Sequence, residues 1–218
     1  MRRRLVWLTV FAFAMAYLEA AVVIYLRALY YPGGFDFPLV PLPPGMLIVE
    51  IGREAATIVM ILGVSVLAGT GRWERFLLFC LVFGIWDILF YVWLYVVLGW
   101  PPSLLTPDIL FLIPVPWVAP VLAPVIISLG LIAGALGLMR LIGKGALPAF
   151  PPALWILAIA GGVLVLLSFT LDSGGILAGD QPPPFRWGLF GVGTAAGVAS
   201  LLAGTLRLKR MIVAGQRT

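Results

Sequence analysis

Glu50, Arg53 and Glu54 fall within five positions of one another in EIGREAATIVMILG, just inside a run that is otherwise apolar. Two carboxylates and a guanidinium so placed can take up a proton or a cation, or bridge to acids on other helices. Glu50 and Glu54 stand four apart and Arg53 three beyond Glu50. At about 100° per residue the three share one helical face, spread over an arc of about 100°. Ionisable residues within a membrane span are costly and point by default to a functional site.

Two more acids interrupt apolar runs, Glu19 and Asp87. Gly84, Asp87, Tyr91 and Tyr95 recur on one helical face, which offers Tyr91 to Asp87 as a hydrogen-bond partner. The expected polar site is therefore Glu19, Glu50, Arg53, Glu54, Asp87 and Tyr91. Arg53 cannot neutralise four acids, so the surplus is protonated, hydrated or balanced by a bound cation. Polar side chains also act as glue between helices. A structural staple and an ion-handling site both fit this composition.

The missing residue types narrow the chemistry. There is no histidine, and Cys80 is the single cysteine. Haem, copper, zinc and iron-sulfur ligation lose their usual donors, as do Ser-His-Asp and Cys-His catalytic units. No cofactor is expected, although an oxygen-ligated cation such as Mg, Ca or Mn stays open. Ser103, Ser128 and Ser168 have no base near them in sequence. Lys144 and Lys209, the two lysines, fall near helix ends, away from any intramembrane Schiff base. No basic patch with interleaved aromatics lies outside the apolar runs, which argues against nucleic acid. Cys80 reads as a small core residue.

The elements that would position the site are membrane helices. Of 218 residues, 62% are hydrophobic and 11% charged, whereas soluble domains carry about 25% charge. The expected architecture is an all-α polytopic membrane protein, one bundle over 1–218. Its six spans are placed at 5–30, 46–69, 76–98, 118–142, 153–171 and 186–206. The first reads as a signal anchor behind Arg2, Arg3 and Arg4, with its N-terminus in the cytoplasm. Ala12, Ala16 and Ala20 make a small-residue stripe for close packing, and Arg27 is expected to snorkel to the interface. Residues 32–45 form a Pro- and Gly-rich outer loop carrying a solvated Asp36.

Trp100 to Pro124 holds seven prolines and is otherwise strongly apolar. Thr106-Pro107-Asp108 has the form of a helix start, and Pro114 and Pro116 would end that helix after two turns. Two turns cover roughly 10 Å, too little to span a bilayer core of about 30 Å. The segment is therefore interfacial or re-entrant on the outer face. Two roles fit: a lid over a cavity carrying Asp108 and Trp117, or a surface loop anchored by Trp100 and Trp117 in the aromatic belt.

Charge sets the topology. Arg2, Arg3, Arg4, Arg72, Arg75, Arg140, Lys144, Arg207, Lys209, Arg210 and Arg217 fall on the inner side, against Arg27 and Arg186 outside. Both termini are then cytoplasmic. Counting rise from the outer helix ends puts Glu50 to Glu54 roughly 6–12 Å down, Glu19 roughly 12 Å and Asp87 roughly 16 Å, all in the outer half of the bilayer. Gly193 and Gly197 form a GxxxG seam for close packing, with a hint of dimerisation. The Arg-over-Lys bias and abundant Gly, Ala and Pro suggest a prokaryotic cytoplasmic membrane.

Three function classes follow. The first is proton- or cation-linked transport. The second is a non-catalytic subunit or assembly partner of a larger membrane complex. The third is an intramembrane carboxylate-dependent enzyme. Partners are the lipid bilayer together with copies of the chain or other membrane subunits.

Overall fold

A computed structural model describes residues 2–143 and 150–215 of the chain. Lys144 and Arg217, both used in the charge argument, lie outside the described residues. Seven helices and a two-stranded hairpin follow in order: α1 (Arg2–Tyr30), α2 (Pro44–Ala68), α3 (Arg72–Leu98), β1 (Pro107–Phe111), β2 (Trp117–Pro120), α4 (Leu122–Ile142), α5 (Pro152–Thr170), the short α6 (Ser173–Leu177) and α7 (Trp187–Gly215).

Among the described residues, α1, α3, α4, α5 continued by α6, and α7 are the five helices long and apolar enough to cross a membrane. α2 is as long, at 25 residues, and carries the three clustered charges. Its polarity is inverted relative to a soluble helix. The buried face holds Glu50, Glu54, Thr57, Ile61 and Ser65. The apolar residues point outward, with Ile48 71% and Leu67 89% exposed. A water-facing helix buries the opposite set. Apolar surface outside and polar groups within is the arrangement of a multi-pass membrane protein.

α3 is the central post. Leu77, Leu78, Leu81, Val82, Trp86, Asp87, Tyr91 and Leu94 are buried along it, against α1, α2 and α4. Cys80 is buried there too, a core residue as its type predicts. The alanine stripe of α1 is sealed, with Ala12, Ala16 and Ala20 essentially inaccessible. Gly84 brings α4 close, since a Cβ there would sit 2.7 Å from the Ser128 carbonyl oxygen. Gly99, at φ 65°, supplies the left-handed residue that ends α3. Tyr95 departs from the expected face and is 61% exposed.

α5 and α7 form a second unit, joined to the first through α4 and β2. Their seam is glycine on glycine. A Cβ on Gly161 would lie 2.6 Å from the Gly193 carbonyl oxygen, and one on Gly193 2.7 Å from that of Gly161. The GxxxG spacing is thus used inside the chain.

The segment expected to be a two-turn helix from Pro107 is instead an antiparallel β-hairpin, so the chain is not purely α-helical. Helix four correspondingly starts at Leu122, because Trp117–Pro120 is strand. The proline positions explain the outcome. Pro107 pairs with Pro120 at the open end of the ladder, and Pro114 and Pro116 lie in the turn. Prolines are tolerated at those places because they remove no interior ladder donor. Between them Ile109, Leu110 and Phe111 favour strand. Backbone groups beyond the ladder also find partners. The Val121 N–H donates to the Thr106 carbonyl at 3.1 Å, and that of Leu122 to Leu104 at 2.7 Å. The Ser173 hydroxyl donates to the Pro116 carbonyl at 2.7 Å.

At the end of the bundle away from the hairpin, Arg4 ties three helices together. It donates to the Ala68 carbonyl at the C-terminus of α2 at 2.7 Å and pairs with Glu74 at the start of α3.

Candidate functional site

α2 carries the core of the site. Its buried face repeats at positions 50, 54 and 57, and turns two carboxylates and a hydroxyl toward the hairpin end of the bundle. Arg53 lies beside that face and reaches both ways. Its Nε donates to Glu50 Oε2 at 2.9 Å, and its Nη1 pairs with Glu19 on α1. Glu19 Oε1 accepts from the Thr57 hydroxyl at 2.7 Å. The α1 and α2 polar groups thus form one network, which sequence spacing anticipates only in part. Thr57, one turn beyond Arg53, was not among the expected residues, although its place on the same face was a usable signal.

Glu54 is held differently. Its Oε2 accepts the Leu112 N–H, the first donor beyond the β1 ladder, at 2.8 Å. Asp87, on α3, accepts the Ser128 hydroxyl of α4 at 2.8 Å. Gly84 makes this contact possible by admitting α4 one turn below. Among the described residues, neither Glu54 nor Asp87 has a cation within salt-bridge distance. Ser128, baseless in sequence, thus has an acid beside it in space. Among the described residues Tyr91 does not donate to Asp87 as expected.

A second pair sits beside the first network. Arg27 Nη2 donates to Asp108 Oδ1 at 3.0 Å, and both side chains are buried. The Arg27 side chain is buried against the hairpin rather than extended into open space. Its guanidinium lies 3.8 Å from the ring centre of Trp100 and 4.3 Å from that of Phe35. Aromatic faces and a carboxylate compensate the lost hydration of the charge. Of the two lid candidates, Asp108 joins this buried pair. Trp117 packs on Phe111 and Phe169 and lines neither cavity.

No protein-family model matches the chain, nor does any curated protein or solved structure. The site's own chemistry carries the reading.

Two cavities meet at Arg53 and Glu54. The larger is a cleft of about 520 Å³ between α1, α2, the hairpin turn, α6 and the loop after α1. Arg27, Glu50, Arg53, Glu54 and Asp108 lie along it, and the rest of the lining is mainly apolar or aromatic. The smaller chamber measures about 60 Å³, room for a few water molecules. It is bounded by Glu19, Arg53, Glu54, Thr57, Asp87 and Tyr91. Trp86 also lines it, and the buried Trp86 indole N–H has no partner among the described residues. Of the six expected site residues, five line the chamber and Glu50 lines the cleft. Among the described residues no three acid or cysteine side chains converge in a way that could hold a metal ion. Beyond the chamber, toward the Arg4 end, Leu8, Ala12, Ile61, Leu78, Leu81 and Val82 belong to a closed hydrophobic layer.

Proposed function

We propose that the protein is a six-span transporter that moves protons through the Glu54–Asp87 chamber, as part of proton-linked exchange across a prokaryotic cytoplasmic membrane. α2 is the sixth span in this reading. Both termini face the cytoplasm, and the hairpin and cleft face outward. One observation carries the proposal: Arg53 and Glu54 line both the cleft and the inner chamber that ends at Asp87. A proton entering from the cleft meets Glu54 first and Asp87 last, each held by neutral donors and free to change charge. Arg53, engaged by Glu19 and Glu50, stays as a fixed positive charge beside the path. The hydrophobic layer beyond the chamber closes the opposite side, as alternating access requires. Separate partners for each carboxylate favour protons over a metal ion, which needs converging oxygens.

Reconstitution in liposomes with an imposed pH gradient and an internal pH dye tests the reading. Wild-type protein is expected to carry proton flux, and Glu54→Gln and Asp87→Asn to abolish it. Flux equal in wild type and both variants, or none above empty liposomes, defeats the proposal. In the latter case the accessory-subunit reading gains, and native purification would then return the chain with other membrane subunits.

A further inference from the structure

The cleft itself has a ligand chemistry. We infer that it binds an apolar organic cation, whose positive group docks on Glu54 and Glu50 and is displaced when Glu54 takes a proton. This rests on the proposed proton-linked function and names its substrate class.

Size is the first argument. A volume of about 520 Å³ suits a drug-sized molecule and far exceeds a hydrated ion's needs. The second is the lining. Leu26, Leu47, Ile51, Leu112, Pro114 and Val115 supply apolar walls, and Tyr30, Tyr31 and Phe90 supply aromatic faces that favour a cation.

Charge is the third. Glu50, Glu54 and Asp108 line the cleft against Arg27 and Arg53, with Glu19 directly behind. Both arginines are already committed to carboxylates. Arg27 Nη1 and Arg53 Nη2 make no hydrogen bond among the described residues, but the acids outnumber the arginines, so the wall is acidic on balance. Glu54 is only 6% exposed, and its Oε2 is fixed by the Leu112 N–H. Its Oε1 has no hydrogen-bond partner among the described residues and is left to the two cavities. Glu50 likewise gives Oε2 to Arg53, and its Oε1 has no hydrogen-bond partner among the described residues. An apolar anion would meet a wall with more acids than arginines, each arginine already paired with a carboxylate.

Competition with protons follows from the surroundings of Glu54. Glu50 and Arg53 lie on its own helix, Glu19 and Arg27 face it from α1, Asp87 and Tyr91 from α3, and Asp108 from the hairpin. The acids outnumber the arginines, so bound proton and bound organic cation exclude one another at Glu54.

The test uses two probes of matched size and shape and opposite charge, tetraphenylphosphonium and tetraphenylborate, with full-length protein in lipid nanodiscs and no pH gradient. Equilibrium dialysis is expected to show saturable phosphonium binding that weakens as pH falls, and no saturable borate binding. Glu54→Gln should weaken phosphonium binding roughly tenfold or more, the scale for loss of one desolvated charge partner, and should flatten the pH dependence. Leu177→Trp, at a position 68% exposed on the cleft rim, should weaken binding without disturbing any buried group. Equal binding of both probes would make the cleft a general apolar or lipid groove and overturn the inference. So would unchanged phosphonium affinity in both variants. If phosphonium does not bind while proton flux persists, the substrate class falls and the proton function stands. Phosphonium binding without flux defeats transport and leaves the binding site.

Discussion

The α1–α3 region and the α5/α7 pair solve the same packing problem with different chemistry. α5 and α7 meet through Gly161 and Gly193, backbone against backbone, and α5 carries no charged residue. α1 and α2 meet through long side chains, Glu19 to Arg53 and Thr57, with a cleft beside them. A glycine seam leaves no room and brings no charged group into the contact. A charged seam leaves free carboxylate oxygens and space to reach them. The difference separates a scaffold from a part that can change state.

Substitutions in each region test that contrast. The largest effect is expected from Arg53→Met, which strands Glu19 and Glu50 in a buried site. Breaking such a pair costs about 3 kcal/mol, read as lower thermal stability in detergent. The double variant Arg53→Met with Glu19→Gln should recover part of the loss. Gly161→Leu should cost about 2 kcal/mol by overpacking against Gly193, while phosphonium binding by the folded protein stays unchanged. If it also removes binding, the two regions are not independent. Ser128→Ala removes the donor to Asp87 and should cost about 1 kcal/mol. Its diagnostic readout is a shift in the pH profile of proton flux, which a purely structural hydroxyl would not move. The smallest effect is expected from Arg186→Ala. This arginine pairs with Asp172 at the exposed hairpin end, and thermal stability should not change measurably.

Much of this organisation was legible in the sequence. Apolar runs located the long helices, and spacing put Glu50, Arg53 and Glu54 together. The alanine stripe of α1 announced its buried face. What escaped were contacts between residues far apart in the chain. Arg27 and Asp108 are 81 positions apart, and an arginine near a helix end reads equally well as an interfacial anchor. Asp87 takes its partner from α4, 41 positions on, while Tyr91, nearer in sequence, makes no hydrogen bond to it among the described residues. The hairpin was obscured by Thr106-Pro107-Asp108, a combination that starts helices. Strand pairing with Trp117–Pro120 outweighed that local preference, as tertiary context commonly does. The Leu112 N–H on Glu54 carries no sequence signal, because any residue but proline offers the same group.

The Arg4 clasp bears on how such a chain is made. Its guanidinium holds the last turn of α2, where the helix dipole is negative, and also reaches Glu74. Arg4 leaves the ribosome well before either partner. It becomes a structural tie only after α2 has returned and α3 has begun. The same charge is thus satisfied only once three helices have been made. A chain in which α2 did not return alongside α1 would leave Arg4 and Glu74 apart, so this tie closes only on a correctly assembled three-helix unit.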